Sequence, residues 1–355
     1  VSKPATIKAA LNAYMVTAAL VAAHQLGLFS RIAKGSISAQ GLAESINLRD
    51  STPSQSPSEY RLSALLGFLA VHGFIDRIDD RFLPNSITLD LAATDKPYGR
   101  MMDLIAHQYL PAFFKLSDSI QSGSTAFEIA HGLPVWDHRK ENRDQGQLFQ
   151  EWLDLETCSL ATEIAECWNW NQYGSILDIG GGLGALAKAI QARYPSVKLT
   201  VFESPEVCEM AESRSLAHTQ KAEVPLALIK TIPGDFFQDI PGDFDAYILK
   251  SVLHDWSDAR CMSLLQRLSL RMNSNQRLLV IERVREDLPN DLSRTPEISL
   301  VGLDLTMFVV HGARERAQSE WDDLFKKAGL WLMSQTRFPS GLHLFELSLK
   351  MNERL

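Results

Sequence analysis

Along residues 5–105 the apolar positions recur at helical spacing with short polar breaks, which predicts helices over Ala5–Ala33, Ser38–Ile46 and Ser58–Val71. Phe74–Leu83 then alternates like a short paired wing turning at Asp79-Asp80. Leu48–Glu59, rich in Ser and Pro, reads as a mobile surface loop. Further helices are predicted over His107–Gln121 and Gln145–Trp170, as a roof formed by residues 106–170. From Ser175 onward short apolar runs alternate with amphipathic segments at the spacing of a doubly wound parallel sheet. The clearest strands are Ser175–Ile179, Lys198–Phe202, Asp245–Leu249 and Arg277–Ile281, and the helix Ala185–Tyr194 carries Leu186, Ile190 and Tyr194 at helical spacing. The pattern predicts two domains, a helical winged-helix-like one over 1–105 and an α/β Rossmann-like one over 106–355.

Composition narrows the function classes. With 355 residues, 45% of them apolar, the chain can fill a substantial core, and its net charge of −8 argues against a nucleic-acid backbone as partner. Within the winged region Arg61, Arg77 and Arg81 stand beside Asp76, Asp79 and Asp80, so no phosphate-binding stripe forms. Cys158, Cys167, Cys208 and Cys261 show neither C-x-x-C nor a metal-ligand pattern with histidine, and read as buried apolar residues in a reducing compartment. The apolar stretch Ala9–Leu28 is interrupted by Asn12, His24 and Gln25 and lacks a signal peptide's flanks, which suits a packed helix rather than a membrane span. A cytoplasmic location is expected. Val1 in place of methionine implies that the natural start is missing.

The chemistry begins at Leu177-Asp178-Ile179-Gly180-Gly181-Gly182-Leu183-Gly184, an apolar strand running through clustered glycines into a helix. Backbone N–H groups at such a turn can meet a nucleotide-type cofactor. Glycine turns also arise for steric reasons, and Gly180, Gly182 and Ala185 with Glu203 even satisfy the dinucleotide fingerprint G-x-G-x-x-A. The later segments separate these readings. Glu203, at the tip of the second strand, can accept both hydroxyls of an adenosine ribose. In Gly234-Asp235-Phe236-Phe237 an acid can accept from an adenine amino group while an aromatic ring covers the base. A nicotinamide dehydrogenase has no need of the following Lys250-Ser251-Val252-Leu253-His254-Asp255-Trp256.

With Glu282-Arg283-Val284 and Arg314-Glu315-Arg316 added, these motifs in this order resemble the S-adenosylmethionine-dependent small-molecule O-methyltransferases, the group of the plant caffeate and bacterial polyketide enzymes. The resemblance implies S-adenosylmethionine as cofactor, held by Asp178, Gly180 and Gly182 at the methionine end, Glu203 at the ribose, and Asp235, Phe236 and Trp256 at the adenine. Lys250 makes a polar contact near the adenosine. It also implies a homodimer built through the winged-helix-like domain, and His254 as general base with Glu282 and Glu315 holding and polarising it. His107, Phe114, Trp152, Met307, Phe308 and His311 fall on segments that line the acceptor pocket in this fold. Relatives usually carry Asp-Leu-Pro where this chain has Glu203-Ser204-Pro205, which lengthens the ribose-binding acid by one methylene.

Each of these residues also has a plainer reading. A lone histidine is often a satisfied structural residue, glutamates are usually solvated, Trp256 can be a core aromatic, and Met or aromatic residues at helical spacing are more often core than pocket. The implied reaction is methyl transfer to a hydroxyl of an aromatic or polyketide-like small molecule. A phenol near pKa ~10 and a free imidazole near ~6.5 differ by roughly 5 kcal/mol, so deprotonation must accompany methyl transfer or the site must narrow the gap. The alternative keeps fold and cofactor but catalyses a non-methylating reaction, a hydroxylation, decarboxylation or pericyclic cyclisation, with the sulfonium acting electrostatically. The trio His254, Glu282 and Glu315 favours methyl transfer.

Overall fold

The computed structural model describes residues 6–48, 58–219, 229–286 and 298–349. The chain divides into two compact units, Val1–Gln108 and Tyr109–Leu355.

In the first unit the long helix expected over Ala5–Ala33 is three helices, Ile7–Asn12, Tyr14–Gln25 and Leu28–Ile32. Ala13 and Val16 bond three residues back, tightening the first break, and left-handed Gly27 (φ 63°) ends the second helix. The expected start at Ala5 lies outside the described residues. Ala39–Ser45 is capped by Ser38, whose hydroxyl accepts from Gly41 N at 3.1 Å, and Ser58–Val71 follows. Strands Asp76–Ile78 and Arg81–Leu83 pair antiparallel around left-handed Asp79, and Ile37–Ser38 adds a third strand against Arg81–Leu83. Ala23, Phe29, Leu42, Leu66, Ile75 and Phe82 form the core. By length and composition alone Ile7–Gln25 could cross a membrane, and little of it is buried within the chain. Most of the Ser/Pro-rich segment, residues 49–57, lies outside the described residues.

The second unit holds a seven-stranded sheet. Its strands are β1 (Ser175–Ile179), β2 (Lys198–Glu203), β3 (Lys230–Pro233), β4 (Ala246–Lys250), β5 (Arg277–Arg283), β6 (Leu330–Arg337) and β7 (Leu342–Leu349), in the order β3-β2-β1-β4-β5-β7-β6. The first five run parallel, and β7 is antiparallel to both neighbours. Strands β1, β4 and β5 are nearly continuous apolar runs because helices cover both faces. On one face Ile164, Trp170, Ile176, Leu186 and Leu344 pack together, and on the other Leu177, Tyr247, Leu264, Trp321 and Phe345. The strand order reverses between β1 and β4, which opens a crevice at their carboxyl ends.

Two expected helices change shape. His107–Gln121 begins in a widened turn, Ile105–Tyr109, ahead of Pro111, and breaks at Phe114 and Lys115, where Lys115 N bonds three residues back to Ala112 O, giving Leu110–Phe113 and Leu116–Ser122. The roof helix runs Arg143–Cys167, and Trp170 falls in a separate short turn with its Nε1 donating to Ile164 O at 3.2 Å. The roof helix also corrects the expectation for the cysteines. Cys208 and Cys261 are buried, but Cys158 and Cys167 are exposed, because the helix turns Thr157, Ala161, Ile164 and Ala165 inward. Ile248 of β4 is fully buried, so Ile248→Ala is expected to cost about 2–5 kcal/mol in urea unfolding, whereas Leu270→Ala, at a site 87% exposed, changes stability by less than about 0.5 kcal/mol.

Candidate active site

The glycine turn leaves β1 with Gly180, Gly182 and Gly184 all at positive φ. Gly180 has a second reason to lack a side chain: a Cβ there would stand 2.9 Å from Val252 Cγ2, so the histidine-bearing turn could not approach. The buried Asp178 Oδ2 lies at this turn and has no hydrogen-bond partner among the described residues. Burial pushes the Asp178 carboxyl up to about 7, with Lys250 opposing the shift. At the tip of β2, Glu203 Oε2 accepts from Gly182 N at 3.4 Å and Oε1 from Ser204 N at 2.7 Å, which aims the carboxylate along the turn. An orphaned acid, a side-chain-free turn and a second carboxylate at the next strand tip fit an adenosyl amino-acid cofactor.

The wall beyond is aromatic. Phe237 meets Trp256 edge-on at 4.7 Å, Phe236 lies 4.8 Å from Phe237, and Trp136 stacks on Trp256 at 6.0 Å. The Arg260 guanidinium sits 3.7 Å from the Phe237 ring centre. Asp235 is exposed and engages its own turn, accepting from Phe237 N at 2.8 Å and Gln238 Nε2 at 3.1 Å. Lys250 Nζ donates to Thr157 Oγ1 of the roof helix at 3.0 Å.

His254 sits just past β4 on a strained turn. Ser251 is left-handed (φ 52°), and the next three amides, Val252, Leu253 and His254, converge on Glu282 Oε1 at 3.0, 2.8 and 3.3 Å. Arg316, also buried, donates to Leu253 O at 3.0 Å and Trp256 O at 2.9 Å, while Asp258 binds its guanidinium at 2.7 Å. With amides and carbonyls both held, the imidazole is fixed in place. Its Nδ1 lies 2.7 Å from Glu315 Oε1. Glu282 therefore holds the turn through backbone bonds, and Glu315 bonds the ring itself.

The charges are concentrated. Burial opposes an imidazolium at His254, but Glu282, Asp255 and Glu315 outweigh it and raise the pKa to about 10. Burial likewise raises Glu282 and Asp255, against the pull of His254. Asp255 Oδ1 stands 3.6 Å from His254 Nε2 and 3.5 Å from His311 Nε2. Burial, with Arg139 and His254 nearby, keeps His311 well below the usual histidine range, and its buried Nδ1 lacks a partner among the described residues. Arg139, buried against the Phe149 ring at 3.5 Å, bonds Tyr109 and acts electrostatically on Asp255.

The structure gathers Asp178, Gly180, Gly182, Glu203, His254, Glu282 and Glu315 at the carboxyl edge of the sheet, with Phe236 and Trp256 in the aromatic wall. Of the expected pocket residues, His311 joins through Asp255, Met307 is buried, and Trp152 packs on Phe149 with its Nε1 lacking a partner among the described residues. Phe308 is partly exposed, and Phe114 is 76% exposed, so the chain does not fold Phe114 into the site. His107 belongs to the first unit, exposed, with Nδ1 2.8 Å from Asp103 O. Sequence reasoning does not single out Asp255, Arg316 or Arg139 as site residues. Asp255 and Arg316 stand inside the motifs quoted above, whereas nothing local signals Arg139.

Comparison with known proteins agrees with this geometry. The O-methyltransferase domain family matches residues 113–331. The mitomycin biosynthesis 6-O-methyltransferase of Streptomyces lavendulae is 30% identical over 325 residues, 88% of this chain and 84% of its own. Myricetin 3-O-methyltransferase 3 of Solanum habrochaites is 29% identical over 87% and 85% of the two chains. The solved mitomycin 7-O-methyltransferase superposes with a TM-score of 0.85 at 26% identity over 97% of both chains. The human N-acetylserotonin methyltransferase, solved with S-adenosylmethionine, shares the fold with a TM-score of 0.81 at 22% identity over 97% of this chain and 96% of its own. A glycine turn built for an adenosyl cofactor and a domain match across most of the second unit place the chain in the O-methyltransferase family, as an enzyme that uses S-adenosylmethionine.

Proposed function

We propose that the protein moves a methyl group from S-adenosylmethionine to a hydroxyl of an aromatic or polyketide-like small molecule, with His254 as general base, as a cytoplasmic homodimer in secondary metabolism. The observation that carries this reading is the 2.7 Å contact between His254 Nδ1 and Glu315, which occupies one ring nitrogen and leaves Nε2, 3.6 Å from Asp255 Oδ1 and so beyond hydrogen-bond distance of it, for the acceptor hydroxyl. Relatives named for mitomycin biosynthesis and for myricetin methylation support a natural-product hydroxyl as acceptor.

Bound S-adenosylmethionine supplies an electrophilic methyl on a positively charged sulfur. Asp178, Gly180 and Gly182 hold its methionine end, Glu203 the ribose, and Phe236 and Trp256 the adenine side, where Asp235 keeps spare lone pairs for the amino group. Lys250 adds a polar contact near the adenosine. Trp152, Met307, Phe308 and His311 are assigned to the acceptor, whereas the exposed Phe114 and His107 are assigned to it by the family resemblance alone. In the ligand-free protein His254 is protonated at neutral pH, because three carboxylates surround it. A second cation nearby lowers its pKa, so His254 releases that proton when the site is loaded and can take the acceptor's. The carboxylates then stabilise the imidazolium that forms while the sulfonium favours phenolate, and both effects narrow the ~5 kcal/mol gap between phenol and imidazole. Burial, with the charges of Arg139 and His254 nearby, keeps His311 neutral, suited to a hydrogen bond with an acceptor oxygen.

Histidine-labelled NMR of the ligand-free protein should show the His254 ring titrating near pH 10, and Glu315→Gln should move the midpoint down. Because the folded pKa is raised, the stability from this proton is complete below about pH 6.5 and is lost as pH rises towards 10. A ring found neutral at pH 7.5 contradicts the carboxylate account.

His254→Ala should still bind S-adenosylhomocysteine while losing about two to four decades of turnover on a phenolic acceptor, and the deficit should shrink at high pH as hydroxide ionises the phenol. Glu282→Gln should cost less, since an amide oxygen still accepts from the turn. Wild-type turnover in His254→Ala at neutral pH rejects the mechanism. Conversion of the natural substrate without loss of the cofactor's methyl group assigns the chain to the non-methylating alternative.

The dimer is inferred from apolar surface on the first unit, where Ile7, Leu11, Tyr14 and Val71 are each more than half exposed. Light scattering at micromolar concentration should give twice the chain mass, and a fully active monomer excludes the dimer.

A further inference from the structure

The roof helix Arg143–Cys167 turns Gln150, Leu153 and Thr157, spaced i, i+3 and i+7, toward the carboxyl edge of the sheet. Thr157 meets Lys250 there. Gln150 and Leu153 lie over the glycine turn: a Cβ at Gly182 would stand 3.2 Å from Gln150 Oε1 and 3.9 Å from Leu153 Cδ2. Gln150 is 8% exposed, and its Oε1 is shut from solvent without a hydrogen-bond partner among the described residues. Buried amide oxygens are nearly always bonded, so one left open at a ligand site marks where a donor belongs. The same turn holds a second open acceptor, Asp178 Oδ2. Two buried acceptors, one of them a carboxylate, flank the turn and call for a ligand group that is cationic and offers several N–H bonds. Glu203, engaged with Gly182 N on the strand side, stands where ribose hydroxyls would be taken, which leaves the amino-acid end for the other two.

We propose that Gln150 is a cofactor-binding residue, accepting a hydrogen bond from the α-ammonium of S-adenosylmethionine that Asp178 also holds, so that the loaded cofactor fastens the roof helix to the glycine turn. This rests on the glycine turn being the cofactor site. Every other side chain assigned to the cofactor comes from the sheet edge or the loops leaving it. Gln150 comes from the roof, and through it the amino-acid end of the ligand bridges two layers of the unit.

Calorimetry on the full chain with three ligands tests this: S-adenosylhomocysteine, its analogue with the α-amino group replaced by hydrogen, and 5′-methylthioadenosine, which keeps adenosine and thioether but lacks the amino-acid end. Gln150→Leu should bind S-adenosylhomocysteine roughly ten-fold or more weakly, the range for losing a hydrogen bond to a charged group, while binding the other two as the wild type does. Gln150→Glu, which keeps an acceptor, should retain the wild-type affinity for S-adenosylhomocysteine. In hydrogen exchange S-adenosylhomocysteine should protect residues 143–157 in the wild type and fail to do so in Gln150→Leu. Equal binding of S-adenosylhomocysteine by wild type and Gln150→Leu overturns the proposal, as does an equal loss for all three ligands, which would assign the contact to ribose or to folding. A wild type that binds none of the three overturns the cofactor reading itself.

Discussion

One buried carboxylate oxygen organises the centre of this protein. Glu282 Oε1 collects the amides of Val252, Leu253 and His254, three donors that a chain leaving a strand through left-handed Ser251 would otherwise bury unpaired. The positive φ at Ser251 is a cost that the surroundings must outweigh, and this carboxylate does so with three charge-assisted bonds. Arg316 secures the other side of the same turn by its carbonyls. His254 is consequently placed by backbone bonding, and the direction of its ring is set separately by Glu315.

Division of labour between two glutamates has an electrostatic consequence. Both carboxylates, with Asp255, surround one largely buried imidazole, so the resting cluster stabilises a proton on His254. If His254 is the base that we propose, its imidazolium must first give up a proton, and a cation bound beside it favours that release through charge. Asp255 extends the cluster to His311, and Arg139 limits how far the negative charge spreads. The pair His254 and His311 on one carboxylate oxygen are held in opposite states, one protonated by three acids and the other kept neutral by burial near Arg139 and His254.

The site is assembled from segments far apart in the chain. Helices before the sheet supply Trp136, Arg139, Gln150 and Thr157, the strand ends supply Asp178, Glu203, Lys250 and Glu282, and a late turn supplies Glu315 and Arg316. Reversal of strand order between β1 and β4 makes this possible, because it opens the sheet's carboxyl edge where the glycine turn and the histidine turn face each other at Gly180 and Val252.

What the sequence determined by itself was whatever local chemistry dictates. Apolar runs of strand length and glycines at a strand-to-helix turn pointed to the α/β sheet and the cofactor turn, while the trio His254, Glu282 and Glu315 was marked by the resemblance of its motifs to a family. Helix ends were less legible, since the breaks at Ala13 and at Phe114-Lys115 depend on small adjustments within otherwise helical patterns. Tertiary structure alone decided how the trio is wired, because a spacing of 28 residues between His254 and Glu282 carries no information on whether a carboxylate meets a ring or a backbone. It also decided the burial of Arg139 and Gln150. Both lie on helices whose sequence reads as ordinary amphipathic surface, and only the packing of those helices over the sheet edge removes water from them and turns a common polar side chain into part of a site.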